Sequence, residues 1–220
     1  MGGLFRAVLY KPLLAAKVFM NMLADYSTIL LLTIFACGYI TGSVPFGLVL
    51  HQIAGLGDLR KIGSGNIGAT NVLRTGNKFL ALLTLLLDIG KGAAAVFIVE
   101  YFYPGLGLFA GAGAFLGHIY SIFLKLSGGK GVATFLGILI ALSPLTGLSC
   151  CIVWIISAFL FRISSLSAII AALASPLLGY YFLGIKITIL ATIMCALIIF
   201  KHKDNIRRLM AGTEPKIGNK

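Results

Sequence analysis

The sequence predicts an all-α, polytopic membrane protein with seven transmembrane helices, its amino terminus outside and its carboxy terminus cytoplasmic. Three observations predict it. The 220 residues are 59% hydrophobic and only 11% charged, with a mean hydropathy of +1.03, whereas an ordinary soluble domain carries about 25% charged residues. The apolar residues fall in runs close to the roughly 20 residues that a helix needs to cross a bilayer. The basic residues, which set a net charge of +12, lie between and after these runs and form no continuous soluble face. Nucleic acid is therefore not the expected partner, and topology explains the charge.

Residues 1–26 carry Arg6, Lys11 and Lys17 among apolar residues and read as an amino-terminal extension without the short core of a cleaved signal. The membrane domain spans 27–214, and 215–220 form a cytoplasmic tail. The first span runs from about Thr28 to His51, with Gly42, Pro45 and Gly47 loosening its lower half. A polar loop follows, from about Ile53 to Lys78. The second span, about Phe79 to Tyr103, contains Asp88 and Lys91 at i, i+3 on one helix face. Charges at that depth face protein, and these two read as structural support. A glycine-spaced third span extends to about Leu126, and a second polar loop covers Ser127–Thr134. The next apolar run is too long for one crossing. Ser143-Pro144 divides it into helices ending near Leu142 and Phe161, and Arg162, Ser164 and Ser165 make a turn. Spans over Leu166–Leu183 and Ile187–Phe200 complete seven.

Orientation follows from the lysines and arginines. With the first polar loop in the cytoplasm, that side holds Arg60, Lys61, Arg74, Lys78, Lys125, Lys130, Arg162, Lys201, Lys203, Arg207, Arg208, Lys216 and Lys220. The opposite side keeps Lys186 and the three amino-terminal cations. Every polar motif then faces the cytoplasm, as a single site requires.

Three stretches carry the chemistry. IGSGNIGATNVLR, Ile62 to Arg74, offers backbone N–H groups around Gly63 and Gly65, with Ser64, Asn66, Thr70, Asn71 and Arg74. Glycines let the backbone approach a phosphate, and arginine can grip two of its oxygens. A flexible connector is the alternative. SGGKGVAT repeats the design, with Gly128, Gly129 and Gly131 around Lys130 and Thr134 beyond; a basic anchor at lipid headgroups is its alternative. In HKDNIRRLMAGTE, His202, Asn205 and Arg208 share a helical face, with Glu214 further on. An amphipathic tail would look similar.

Other chemistries lack their residues. The strings G-x-x-x-x-G-K-[ST], G-x-S-x-G and HxxxxD are absent. Cys37, Cys150, Cys151 and Cys195 sit inside apolar runs without metal-ligand spacing, as small buried hydrophobes. No metal and no cofactor is expected, and no obvious general base is present.

In order and spacing, GSVPFG, GSGNIGATNVLR, DIGKG, GHIYSIFLKLSGGKGVAT and HKDNIRRLMAGTE resemble the bacterial membrane glycerol-3-phosphate acyltransferases that use acyl phosphate, the PlsY family. The resemblance covers about Thr41 to Glu214. It implies a seven-helix inner-membrane enzyme whose active site faces the cytoplasm. That enzyme moves a fatty acyl group from acyl phosphate to the 1-hydroxyl of glycerol 3-phosphate, giving lysophosphatidic acid and phosphate for phospholipid synthesis. The bilayer and the enzyme supplying acyl phosphate are the implied partners. Carried over by motif, Ser64, Arg74, Lys130, His202 and Asn205 are catalytic. Gly63, Gly65, Asn66, Thr70, Asn71, Gly128, Gly129, Gly131 and Thr134 bind substrate phosphate, and Glu214 is structural. Ser121 departs from the proline common at that place. With an activated donor and no base, the substrate's own phosphate is expected to take the hydroxyl proton. An organic-phosphate transporter is the competing reading, but no internal repeat supports it.

Overall fold

A computed structural model describes residues 26–218. The expected amino-terminal extension lies outside the described residues up to residue 25, as do residues 219 and 220. Helix is the only regular structure among the described residues.

The first span is two helices, α1 (Thr28–Ser43) and α2 (Phe46–Ile53). Ser27 starts α1 by accepting a hydrogen bond from the Leu30 amide at 3.2 Å. Pro45 breaks it, because proline has no N–H and disfavours helical geometry in the residue before it. At the break the Val44 carbonyl accepts from the Phe46 amide at 3.2 Å and from the Lys91 ammonium at 2.7 Å. Inside the first polar loop lies a short helix, α3 (Ala69–Arg74), which periodicity alone did not indicate. Asn77 caps α4 (Lys78–Phe102) through the Leu80 amide at 3.0 Å.

The third apolar run ends earlier than expected. Helix α5 (Gly107–Ile119) gives way to a 3₁₀ turn over Ile122–Leu124, and Lys125 and Leu126 take left-handed φ of 51° and 63°. Hydropathy could not register this end, since Ile122, Phe123 and Leu126 are apolar yet more than half exposed. Ser143 then separates α6 (Val132–Leu142) from α7 (Pro144–Phe161), capping the latter with Pro144 in its first turn. Three helices follow: α8 (Ser164–Leu183), α9 (Ile185–Lys201) and α10 (Lys203–Met210).

Helices α1 and α5 touch backbone to backbone. A methyl group on Gly38 or Gly42 would overlap the carbonyl of Ala110 or Ala114, and one on Gly113 or Gly117 that of Phe35 or Tyr39. Such reciprocal small residues suit a membrane interior, where close packing must replace the hydrophobic drive. Phe115, Ile119, Phe135, Ile138, Met194 and Ile198 fill the centre of the bundle. Outward, Phe159, Leu177 and Tyr181 are more than three-quarters exposed, which hydrocarbon tolerates and water does not. A second small core of Leu48, Leu59, Ile67, Val72, Leu80 and Ala81 lies beneath the first polar loop, so that loop is a packed body.

Among the described residues, five helical stretches are long and apolar enough to cross a bilayer, counting Thr28–Ile53 through its break, and a sixth is reached when α9 and α10 are joined across their 61° bend. Helix α6 is shorter, at 11 residues.

Candidate active site

The three polar stretches meet in one cavity of about 280 Å³. Ser64, Asn66, Thr70, Asn71 and Arg74 line it from the first loop, Lys130 and Gly131 from the second, and His202, Asn205 and Glu214 from the tail. Asp88 and His118 reach it from α4 and α5. Gly63, Gly65, Gly128, Gly129, Thr134 and Lys91 do not line it; they stand behind the residues that do.

The first loop braces itself. Buried Asn71 accepts from the Ser64 amide at 2.9 Å and from its hydroxyl at 3.3 Å. Its own amide nitrogen donates to the carbonyls of Leu59 and Ile62, at 3.1 and 2.9 Å. Gly63 and Gly65 turn the chain with φ of 56° and 69°. Asn71, expected as a phosphate ligand, thus spends its polar atoms holding Ser64 in place. Arg74, in the last turn of α3, lines the cavity with no hydrogen bond or ion pair to any of the described residues.

The other two stretches are joined to each other. The Lys130 ammonium donates to Asn205 Oδ1, and Asn205 Nδ2 donates to Glu214 Oε1 at 2.6 Å. Glu214 also accepts from Ser165 Oγ and from Arg208 Nε, each at 2.7 Å. The carboxylate therefore gathers α8, α10 and, through Asn205, the second loop. Burial works to raise its pKa, but the hydrogen bonds from Ser165, Asn205 and Arg208 outweigh it and hold it below the usual carboxylate range.

Burial pushes Lys130 down to about 8; Glu214 pulls it back up while Arg208 and Arg74 push it lower. His202 falls to about 4 through burial and the nearby Lys130 charge. Its Nδ1 faces the Ile198 carbonyl at 2.8 Å and so carries the proton, leaving Nε2 as an acceptor.

Sequence reasoning passed over Ser164, Ser165 and His118 as site residues. Thr70 and Ser164 share a hydroxyl hydrogen bond at 3.1 Å across 94 residues of chain. The signal was present in Ser164-Ser165, a pair of hydroxyls opening a helix on the basic side. The rest of the wall includes apolar side chains, with Leu85 and Ile89 from α4, Leu136 from α6 and Cys151, Trp154 and Ile155 from α7.

A single cavity lined both by cations and hydroxyls and by apolar helix faces defines a class: an integral membrane protein that holds a phosphate-bearing head against a lipid chain. The comparisons identify the family within that class. Residues 32–212 match the glycerol-3-phosphate acyltransferase family, and the chain belongs to it. It is 55% identical to the glycerol-3-phosphate acyltransferase of Mesorhizobium japonicum, over 83% of this chain and 94% of that one. The Agrobacterium fabrum glycerol-3-phosphate acyltransferase is 50% identical, over 91% of this chain and all of that one. Among solved structures, the chain is similar to the glycerol 3-phosphate form of PlsY (YgiH), an integral membrane glycerol 3-phosphate acyltransferase. The TM-score is 0.81 and the identity 36%, over 86% of this chain and 96% of that one. Its lysophosphatidic acid form matches with a TM-score of 0.79 and 34% identity. This chain is thus a membrane acyltransferase of phospholipid synthesis that acylates glycerol 3-phosphate to lysophosphatidic acid.

Proposed function

We propose that acyl phosphate is the donor and that the cavity holds both substrates, with their phosphates toward Arg74 and Lys130 and the acyl chain along the apolar side chains. The single observation that carries this reading is the cavity itself. It joins two cations, contributed by separate loops, to an apolar wall contributed by three helices. The 1-hydroxyl oxygen attacks the acyl carbonyl carbon, the bond from that carbon to the phosphate oxygen breaks, and the hydroxyl proton leaves on phosphate. His202 supports this route for the proton, because a ring held near pKa 4 is a weak base. Positioning and charge stabilisation then supply the rate, with Arg74 suited to two phosphate oxygens and Lys130 to one.

The topology follows the same geometry. Arg74, Lys130, Ser164 and His202 all line one cavity, so α4 with α5, α6 with α7, and α8 with α9 each leave that side and return to it. Short α6 is then a crossing, because α7 needs a partner running the other way. With α1 and α2 this makes seven crossings. The distribution of basic residues supports a cavity side in the cytoplasm and an amino terminus outside, which suits the inner membrane and a cytoplasmic enzyme delivering acyl phosphate.

Purified protein in detergent, given acyl phosphate and glycerol 3-phosphate, releases inorganic phosphate in step with lysophosphatidic acid. Product formed from a different acyl donor alone would overturn the donor assignment. Uptake of glycerol phosphate into proteoliposomes without acyl transfer would favour a transporter.

A further inference from the structure

At the cavity wall, where Asp88 and His118 reach it, lies a buried polar hub that the reaction as described does not use. The side chains of Asp88 and Lys91 are each 3% exposed, with Nζ and Oδ1 2.8 Å apart. That contact is a charge pair lacking hydrogen-bond geometry, so Asp88 Oδ1 keeps no formal hydrogen bond. The same oxygen lies 3.6 Å from His118 Nδ1, and Thr134 Oγ1 lies 3.2 Å from that nitrogen. A carboxylate facing Nδ1 favours the tautomer protonated there, with Thr134 accepting and Nε2 facing away.

What Nε2 faces is the second loop. A methyl group on Gly129 would collide with His118 Nε2, and one on Gly128 with the His118 carbonyl. The Gly129 amide donates to that carbonyl at 3.0 Å, and the Gly128 amide to the Ile119 carbonyl at 3.3 Å. Imidazole and backbone of His118 together form the floor on which the loop lies, directly before Lys130. Thr134, expected as a phosphate ligand, is fully buried and bonds this floor.

We propose that His118 is a positioning residue for acyl transfer: anchored by Thr134 and the Asp88–Lys91 pair, it sets the Gly128–Gly129 backbone and thereby the reach of Lys130 into the cavity. The inference rests on Lys130 as a phosphate ligand. A Lys130→Met enzyme with unchanged KM for both substrates would remove that premise independently of anything measured at Thr134.

Two substitutions at Thr134 separate positioning from packing. Thr134→Val keeps the shape and removes the hydroxyl that holds His118. Thr134→Ser keeps the hydroxyl and removes the methyl, which packs beside Gly92 on α4. Positioning predicts that Thr134→Val raises KM for a phosphate-bearing substrate about fivefold, the size of one ordinary hydrogen bond, with kcat changed less. Thr134→Ser then stays near the parent enzyme. A packing role predicts the reverse order, with Thr134→Ser the more impaired in activity and melting temperature. That order, or a Thr134→Val enzyme with parental KM for both substrates, would overturn the proposal. Should Thr134→Val fold poorly, Gly129→Ala, pressing a methyl on the ring, must raise the same KM; an unaltered KM there would overturn it equally.

Discussion

The first and second polar loops present a cation to the same cavity by opposite means. Asn71 ties the first loop to its own backbone, and Arg74 is left with its whole fork unpaired among the described residues. The second loop has little internal bracing. It rests on His118, and its Lys130 is tethered through Asn205 to Glu214. An internally braced loop can offer a free ligand, whereas an externally braced one offers a ligand whose position and charge depend on its neighbours. Substitutions in the first loop should therefore act locally, and those around the second should spread.

The largest effect belongs to Arg74. Arg74→Lys retains the charge and loses the two-oxygen grip, so kcat/KM should fall about 100-fold, about 3 kcal/mol. An enzyme retaining full activity would show that only the charge at Arg74 matters. Next is Asn71→Ala, which removes the side-chain donor from the Leu59 and Ile62 carbonyls, leaving them the Ile62 and Gly65 amides, and frees Ser64. The expected loss is about 2 kcal/mol, the scale of two or more ordinary hydrogen bonds at about 1 kcal/mol each, read both as lowered melting temperature and as roughly tenfold lower activity. Normal activity alongside lowered stability would mean that Ser64 does not need the brace.

Much of this comparison was legible in the sequence. Glycine, asparagine and arginine between two apolar runs located the first loop, and Asp88 and Lys91 at i, i+3 announced their pair. What the sequence could not separate was ligand from brace. Asn71 and Asn66 are the same residue type in the same loop, yet one is buried in its backbone and the other stays partly open. His118 lay inside an apolar helix, where nothing local indicates that a glycine loop will settle on its ring. The Thr70–Ser164 contact spans 94 residues and exists only once α7 brings the chain back to the cavity. Helix α6 read correctly as short, because Ser143-Pro144 marks its end in any context.

A smaller effect tests the tether on Lys130. With its pKa near 8, Lys130 loses its charge as pH rises through that value, so kcat/KM should decline on the alkaline side from about pH 8. Glu214 raises the Lys130 pKa, so Glu214→Gln must move this limb to lower pH. A limb that stays in place would mean that the titrating group is not Lys130. His202 is already neutral far below this range, so it adds no step between pH 6 and 8.

The smallest effect is expected at Arg60, and its smallness is informative. Arg60 lies in the same polar loop as Arg74, but its fork is closed on Asp58, with contacts of 3.0, 3.2 and 2.8 Å, and it does not line the cavity. The pair is exposed, and such pairs contribute little in water. Side-chain and backbone hydrogen bonds from Arg60 hold Asp58 near pKa 2, so the pair stays closed at any working pH. Arg60→Ala should thus leave kcat/KM within about twofold of the parent, in keeping with a median near zero for exposed pairs, even at low ionic strength. If it instead approached the loss at Arg74→Lys, and salt reproduced that loss in the parent enzyme, the loop's cations would be acting as a diffuse field that draws anionic substrates. Arg74 would then hold no privileged place, and the difference between a free fork and a closed one would not govern which cation binds phosphate.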